Sequence, residues 1–414
     1  MDALAYYSNP KVQAKMLEIA KDREIAGSSE DGRFFSRPDT LVYPNDILER
    51  VRKGIVAFHC SVETWKNPMQ LKSEIGKVEM NELRKGFDFI IDIDAKAKLE
   101  HAQIAAIKVV EFLKHYGIEP TIKFSGSRGF HIGVAGNAFP SKIDFQDITQ
   151  KYPDIPQTLA NFIREAIRDE ILEALVEFEG GVASLVNTVE SVSELSPYQF
   201  IDIENNWGNR HLFRMPYSIH VKKWLISIPI TFDELKDFKL DMARPENVKF
   251  DTEFLISKDG EALKLIRNAM DWGAKLKKEE IPKKEFTGGV KFKIPATHFP
   301  PCIQTILSGN FPDGKKRSLF TLCAFLRAMN WSQEEIEQKV KDWNKDLPRS
   351  ITDRLLNTQL KWHFRQSREM MPANCESDMF YRGIGVCKRN EFCGKNPVNY
   401  PFNVYKRNKK VKNK

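Results

Sequence analysis

The chain has 414 residues, a hydrophobic content of 42% and a net charge of +8. This length predicts two or three domains, and the hydrophobic content excludes an intrinsically disordered protein. Lysine-rich runs at 275–286 and at the C-terminus favour a nucleic-acid partner, although such runs also occur as solvated linkers and tails. No stretch approaches the roughly 18 apolar residues that span a bilayer, and the N-terminus lacks the pattern of a signal peptide, so we expect a cytoplasmic protein.

The elements alternate along the N-terminal part and become helical after a polar break. Hydrophobic periodicity predicts helices at 9–24, 98–117 and 155–180, and segments rich in β-branched and aromatic residues predict strands at 54–65, 86–94, 121–136, 198–204 and 224–230. Residues 273–294 are rich in lysine with Pro and Gly-Gly, which predicts an interdomain linker. Helical patterns dominate after it, one of them with Ser332 and Glu335 in the positions of a capping box.

The segment "KGFDFIIDIDAK" (85–96) places two carboxylates inside a strand-like run. Side chains two residues apart share a face, so Ile91 and Ile93 face the core while Asp92 and Asp94 face elsewhere together. Two carboxylates held side by side repel each other unless a cation lies between them. The alternatives are an exposed edge face and a divalent metal site.

Two further segments carry polar side chains on predicted strand ends. In "FSGSRGFHIGV" (124–134), Arg128 lies in a glycine-bracketed turn and His131 on the returning strand, which suits a phosphate chain but also fits an ordinary hairpin. In "FIDIENNWGNRHLFRMPYSIHVKKW" (200–224) a third carboxylate lies between two isoleucines, followed by basic and hydroxyl side chains. These residues are Asp202, Arg214, Ser218, His220 and Lys222.

Taken together, these three segments predict nucleotidyl transfer. Carboxylates on strand edges hold two divalent ions, one activating the attacking hydroxyl and one neutralising the triphosphate. Basic side chains nearby hold the phosphates as charge develops in the transition state.

In order and spacing, "DFIIDID", "SGSRGFH" and an Asp preceding the "RMPYSIH" segment resemble the catalytic subunit of archaeal and eukaryotic DNA primases over about residues 15–270. "REIAG" (23–27) is similar to that subunit's Arg-Glu-Phe motif. The resemblance implies Asp92, Asp94 and Asp202 as ligands of Mg²⁺ or Mn²⁺. It further implies triphosphate contacts by Ser125, Arg128, His131, Arg214, Ser218, His220 and Lys222. No cysteine lies between 61 and 301, so we expect none of that family's zinc knuckle here.

The cysteines are concentrated at the C-terminal end. Their spacing leaves open an iron–sulfur cluster, a zinc site or plain buried thiols. The segments "PPCIQTIL", "NCESD", "GIGVCKRNEFC" and "KNPVNYPF" resemble the iron–sulfur domain of the primase large subunit over about 295–402. That resemblance implies a [4Fe–4S] cluster on Cys302, Cys375, Cys387 and Cys393. We expect Cys60 and Cys323 to be core residues.

In the large-subunit family this domain helps to initiate synthesis. The positions that the resemblance and base-stacking chemistry suggest for template and initiating-nucleotide contacts are Lys315, Lys316, Arg317, Trp362, His363, Arg365 and Tyr381. The alternative is a solvated start of a helix.

The resulting hypothesis is a single-chain, monomeric archaeal primase with an α+β fold. Its predicted parts are a catalytic domain of mixed β-sheets flanked by helices (1–272, with a helical insertion at about 150–185), a linker (273–294), a mostly helical iron–sulfur initiation domain (295–403) and a basic tail (404–414). It would make short primers from nucleoside triphosphates on single-stranded DNA in the nucleoid. The rivals are a repair or end-joining polymerase of the same superfamily and a non-catalytic nucleic-acid-binding Fe–S protein.

Overall fold

The computed structural model describes residues 2–72, 75–143, 145–186, 195–279, 293–311, 314–365 and 370–412. The chain divides into two compact units, residues 1–281 (the first unit) and 282–414 (the second unit). Each has its own hydrophobic core, and the two core clusters share no residue.

The described strands all belong to the first unit. They are β1 Ile25–Ser28, β2 Ala57–Ser61, β3 Glu63–Trp65, β4 Arg84–Phe87, β5 Phe89–Ala95, β6 Thr121–Phe124, β7 Gly129–Val134, β8 Lys142–Ile143, β9 Gln146–Asp147, β10 Ile201–Ile203, β11 Leu212–Arg214 and β12 Pro229–Ile230.

Helices occur in both units. Those of the first unit are α1 Ala3–Tyr7, α2 Pro10–Ala20, α3 Pro44–Arg52, α4 Lys77–Leu83, α5 Leu99–His115, α6 Asp154–Ala166, α7 Arg168–Phe178, α8 Val182–Val186, α9 Phe232–Lys236 and α10 Leu263–Glu279. Those of the second unit are α11 Pro301–Leu307, α12 Lys315–Ala328, α13 Gln333–Lys345, α14 Asp353–Arg365 and α15 Asn399–Lys412.

Two antiparallel sheets organise the first unit. The larger has the strand order β10-β5-β7-β6-β12, and the smaller has the order β1-β2-β11. Short pairs β3-β4 and β8-β9 complete the described strands. Helix α5 packs against β5 and β7 through its apolar face, and α7 packs against α5 in turn. The helices cover one face of the larger sheet, so polar side chains of β5 are directed to the opposite face.

The predicted mixed α+β fold is confirmed, and the differences from the sequence expectations are local. Only Pro229–Ile230 of the predicted strand 224–230 pairs in the sheet. Helix α10 continues to Glu279, so residues 273–279 are helical rather than part of a linker, while 280–292 lie outside the described residues. The predicted basic tail is likewise helical through Lys412.

The second unit is built from helices around a compact apolar core. Helix α13 begins at a capping box in which the Ser332 hydroxyl accepts from the Glu335 amide at 3.3 Å and Glu335 Oε2 accepts from the Ser332 amide at 2.9 Å, as the sequence predicted. Cys323 is buried in the core of this unit, and Cys60 in the core of the first. Within the described ranges, no helix is both long enough and apolar enough to cross a membrane.

Candidate active site

The predicted acidic residues lie together on the larger sheet. Ile91 and Ile93 of β5 are fully buried, and Asp92 and Asp94 alternate with them on the other face. Strand β10 pairs with β5 in a register that sets Asp202 opposite Asp94. Directly opposed residues of an antiparallel pair share a face. The structure therefore brings the carboxylates from two distant segments onto one surface.

A fourth carboxylate, missed from the sequence, extends this group. The Glu204 amide donates to the Asp92 carbonyl at 2.8 Å, which continues the β10–β5 ladder and sets Glu204 opposite Asp92 as Asp202 is opposite Asp94. Its Oε2 lies 3.1 Å from His211 Nε2. The signal was present, because "DIE" has the same alternation as "DID". We call Asp92, Asp94, Asp202 and Glu204 the acidic quartet.

The state of Asp92 fits a site for cations. Burial raises the pKa of Asp92 well above its usual range, and the charges of Asp94 and Glu204 raise it further. Asp92 Oδ1 is buried without a hydrogen-bond partner among the described residues, although the side chain as a whole is 40% exposed. His131 Nε2 lies 3.4 Å from this oxygen but not in hydrogen-bonding geometry. An unpartnered carboxylate oxygen between like charges is suited to a divalent cation.

Across the described ranges, no three His, Cys, Asp or Glu side chains are grouped so that they could hold a metal ion. Burial raises the pKa of Asp94. The charges of Asp202 and Glu204 raise it further, against the opposing effect of Arg128 and Arg214.

Gly129 on β7 makes room for Asp94. A Cβ at position 129 would lie 1.9 Å from the Ile93 carbonyl oxygen and 2.6 Å from Asp94 Oδ1, both far inside van der Waals contact. Only glycine lets β7 approach β5 this closely opposite Asp94.

The turn between β6 and β7 forms one side of a group of side chains, Arg128, His131, Arg214 and His220, that we call the basic cradle. Gly126 has φ +99°, and the Ser125 amide closes the turn by donating to the Gly129 carbonyl at 2.9 Å. A Cβ on Gly126 would lie 3.1 Å from His220 Cβ and 3.5 Å from Arg214 Cδ. The turn of the larger sheet thus directly contacts Arg214 on the smaller sheet. The exposed Arg128 projects from the same turn.

Arg214 and the two histidines give the cradle its charge pattern. Burial lowers the pKa of Arg214 to about 10, and Asp92 and Asp94 oppose that shift, so its charge persists at neutral pH. Burial, followed by Arg214 and Lys222, lowers the pKa of His220 to about 4. Burial also lowers the pKa of His131, and the charges of Lys123 and Arg214 lower it further. Both rings are therefore neutral while the arginines carry the charge.

Ser218 does not join the cradle, which corrects the sequence expectation. Its side chain is fully buried, and its hydroxyl accepts from the Phe58 amide at 2.8 Å. It holds the loop after β11 against β2 and has no exposed surface. Lys222, by contrast, is exposed.

Lys123 is a second residue that the sequence did not single out. It is fully buried beside His131, its register partner on β7, and its Nζ donates to Ser227 Oγ at 2.8 Å. Burial lowers the pKa of Lys123 to about 7, which the charge of Asp92 partly offsets.

The "REIAG" segment fixes the surrounding loops. The buried Arg23 pairs with Asp88 and donates to the Ser61 carbonyl at 2.9 Å. Glu24 is fully buried and accepts from Arg37 Nη2 at 2.8 Å and from Arg210 Nε at 2.9 Å. These two arginines come from loops that are far apart in sequence.

The four C-terminal cysteines lie within electrostatic reach of one another. Burial raises the pKa of Cys302 to about 12, and Cys375, Cys387 and Cys393 raise it further. Cys302 is buried, Cys375 and Cys393 are half-buried and Cys387 is exposed. As for the acidic quartet, the described cysteines are not grouped as a metal-binding set.

The candidate initiation residues differ in exposure and in their hydrogen bonds within the fold. Lys316, Arg365 and Trp362 are exposed, whereas Lys315 donates to the Arg349 carbonyl and Arg317 donates to the Met379 carbonyl at 2.5 Å.

Tyr381 and His363 are each only 1% exposed, which corrects the expectation that they contact a template. The Tyr381 hydroxyl donates to the Ala373 carbonyl at 3.0 Å, and the ring of His363 packs against Phe320. A ring enclosed in a core cannot stack on a base.

One family model matches the part of the chain that carries this geometry. Residues 91–232 match the family model of the DNA primase small subunit. This range contains the acidic quartet and the cradle. The match supports a nucleotidyltransferase of the primase–polymerase type, which uses a nucleic-acid template, nucleotides and divalent metal ions.

Individual relatives are distant. An uncharacterized protein of Methanocaldococcus jannaschii is 21% identical over 336 residues, which cover 74% of this chain and 70% of that protein. Among solved structures, the polymerase domain of ligase D from Mycobacterium tuberculosis in complex with DNA is similar with a TM-score of 0.38 and 15% identity, over 65% of this chain and 88% of that domain.

Proposed function

We propose that this chain is a DNA primase that starts strands on single-stranded DNA from free nucleoside triphosphates. The observation that carries the proposal is the cross-strand pairing of Asp202 with Asp94, next to Asp92 and facing a basic cradle. This arrangement suits nucleotidyl transfer, because the acidic groups can bind divalent cations and the basic groups can bind the phosphates of the nucleotide.

The residues of the two groups have distinct roles. Asp92, Asp94 and Asp202 would hold the divalent ions, which when bound activate the attacking hydroxyl and neutralise the triphosphate. Arg128 and Arg214 would hold the phosphates by charge-assisted hydrogen bonds. His131 and His220, neutral through burial, would donate hydrogen bonds without adding charge. Ser125 and Lys222 would complete the phosphate contacts.

The second unit would aid initiation. We propose that Cys302, Cys375, Cys387 and Cys393 hold a [4Fe–4S] cluster, supported by their mutual electrostatic influence. Lys316, Arg365 and Trp362 supply exposed charge and an exposed ring for template or initiating nucleotide. A monomer, an archaeal origin and a nucleoid location belong to the same proposal.

An unprimed synthesis assay tests the catalytic proposal. Full-length protein is incubated with single-stranded DNA, Mg²⁺ or Mn²⁺, and ribo- or deoxynucleotides in turn, and short products are resolved on a gel. We expect dinucleotides and longer products, abolished by Asp92→Ala/Asp94→Ala and retained by Asp233→Asn, whose side chain is 92% exposed. Extension of an annealed primer without unprimed products would instead identify a repair-type polymerase. Product from the double variant equal to the wild type would refute the catalytic site.

Iron and sulfide analysis of anaerobically purified protein tests the cluster. We expect iron and acid-labile sulfide in stoichiometric amounts, lost in Cys393→Ala but kept in Cys323→Ala, because Cys323 lies in the core of the second unit. Stoichiometric zinc without iron would contradict the cluster.

A further inference from the structure

The smaller sheet carries a row of side chains that begins at Arg214 of the basic cradle and runs across β2 to β1. Arg214 of β11 is the register partner of His59 on β2, and His59 is the partner of Ala26 on β1. Directly opposed residues share a face and have Cβ atoms about 5 Å apart. His59 is therefore the neighbour of Arg214 on the face that contacts the phosphate turn.

The environment of His59 is that of the cradle, but the ring carries no charge. Burial lowers the pKa of His59 well below its usual range, and Arg214 and Lys123 lower it further. Its register partner Arg214 already supplies a charge for a phosphate, so the neutral ring one strand further along is compatible with the uncharged part of a nucleotide.

An exposed aromatic ring lies directly on His59. The centroid of the Phe34 ring is 5.1 Å from that of His59, with the planes tilted by 55°. The ring of Phe34 is nevertheless 55% exposed, so a large part of an apolar surface faces solvent next to a polar site.

The backbone holds Phe34 in this position. The Ser29 amide donates to the Arg33 carbonyl at 2.9 Å across a turn that contains Gly32 at φ +80°. Phe34 then forms a bridge to Ser28 at the end of β1, which places its side chain on the same face as His59. The ring is thus presented by a closed hairpin turn attached to the sheet.

We propose that Phe34, supported by His59, stacks on the base of the incoming nucleoside triphosphate. This rests on the proposed function and names the nucleoside end of the same site. Arg128 and Arg214 would hold the triphosphate. His59 is the neighbour of Arg214, and the Phe34 ring lies next to His59, so a nucleoside attached to that triphosphate can reach the ring. Aromatic stacking accepts every base because every base has a π-face, as a template-directed enzyme requires.

The neighbouring Phe35 provides a matched control. It is 38% exposed, and its Cζ lies 4.0 Å from the position that a Cβ on Gly54 would take, away from His59. Both residues are partly exposed phenylalanines of the same segment, so Phe34→Ala and Phe35→Ala remove equal side chains from different faces.

Binding to full-length protein without template separates the base from the phosphates. Calorimetric titrations in Mg²⁺ compare ATP with inorganic triphosphate. For Phe34→Ala we expect about a tenfold higher Kd for ATP and an unchanged Kd for inorganic triphosphate, with Phe34→Tyr close to wild type. Phe35→Ala should bind both probes as wild type does, and Arg128→Ala should weaken both.

Two results would overturn the inference. One is an unchanged ATP affinity in Phe34→Ala; the other is an equal loss of both probes, which would indicate a general disturbance of the fold. If Phe34→Ala binds ATP normally but loses affinity for single-stranded DNA, the inference is likewise overturned, and the ring would be assigned to the template. Selective weakening of ATP in a protein that makes no product on unprimed DNA would keep the inference and reject the proposed function.

Discussion

Single residues of the acidic quartet work against the stability of the fold. Asp92 and Asp94 have raised pKa values because burial and mutual repulsion both disfavour their charged forms. Glu204 adds to this repulsion while its Oε2 contacts His211. A bound cation would relieve this repulsion, so we expect stability and cation binding to be linked at this site.

Glu204→Gln should separate these two effects. It removes one charge but keeps an acceptor for His211, so we expect the free energy of unfolding in EDTA to rise by about 0.5–1 kcal/mol. The stabilisation by Mn²⁺ should fall, because the quartet has lost a negative charge. Thermal melting with EDTA and with Mn²⁺ measures both, and Glu119→Gln, 67% exposed, is the surface control. Equal Mn²⁺ stabilisation of wild type and Glu204→Gln would exclude Glu204 from the site.

Lys123 is the second residue with a stability cost. Its pKa is about 7 in the folded protein against 10.5 ordinarily, so between these values the unfolded chain binds more protons and stability rises with pH. Below pH 7 the lysine is charged in both states and the full cost applies.

Lys123→Met should therefore stabilise the protein most at low pH. We expect an increase in the unfolding free energy of several kcal/mol at about pH 6, at roughly 1.4 kcal/mol per pKa unit, fading as pH rises from 7 toward 10.5. Urea denaturation at about pH 6 and about pH 9.5 measures this. The same variant should bind triphosphate more weakly, since it removes a cation beside His131. A stability gain that is independent of pH would show that the fold does not lower the pKa of Lys123.

At the scale of elements, the close approach of β7 to β5 sets the geometry of the site. Gly129→Ala should destabilise the protein by about 3 kcal/mol, because its Cβ would overlap the Ile93 carbonyl and push Asp94 aside. Gly208→Ala is the control, since a Cβ there meets no atom within 4 Å. Chemical denaturation and the synthesis assay together check this, and a Gly129→Ala protein as stable as Gly208→Ala would contradict the close packing.

Much of these elements could be predicted from local sequence. The alternation of β5, the glycine-bracketed turn before β7 and the 3.6-residue periodicity of α5 are local patterns, and each agrees with the structure. Strand 224–230 was overestimated because β propensity says nothing of available partners. Only Pro229 and Ile230 form ladder pairs with β6.

The site could be predicted only where the pattern itself decides the face of a strand. Alternation with isoleucines is enough to group Asp92 with Asp94, but Ser218 and Lys123 depend on distant segments. The Ser218 hydroxyl meets the Phe58 amide, and the Lys123 amine meets Ser227. Tyr381 looked suitable for stacking by type, yet the fold of the second unit encloses it. Such burial depends on contacts with distant segments, so it cannot be predicted from a short stretch of sequence.

At the scale of the whole molecule, each unit has the core of an independent domain. The two hydrophobic clusters are disjoint, and each is built from large apolar side chains. We expect fragments 1–281 and 282–414 to be separately soluble and to unfold cooperatively, as followed by circular dichroism during heating. Fragment 1–281 should extend an annealed primer but start few strands. An unfolded fragment 1–281, or one that initiates as well as the full chain, would contradict this division.

The pairing of β10 with β5 also affects how the protein is synthesised. Between Asp94 and its partner Asp202 the described part of the chain contains four strands, β6 to β9, and four helices, α5 to α8. A nascent chain on the ribosome cannot close this pair until β10 has left the exit tunnel, so the surface that carries the acidic quartet is completed only after most of the first unit has been made.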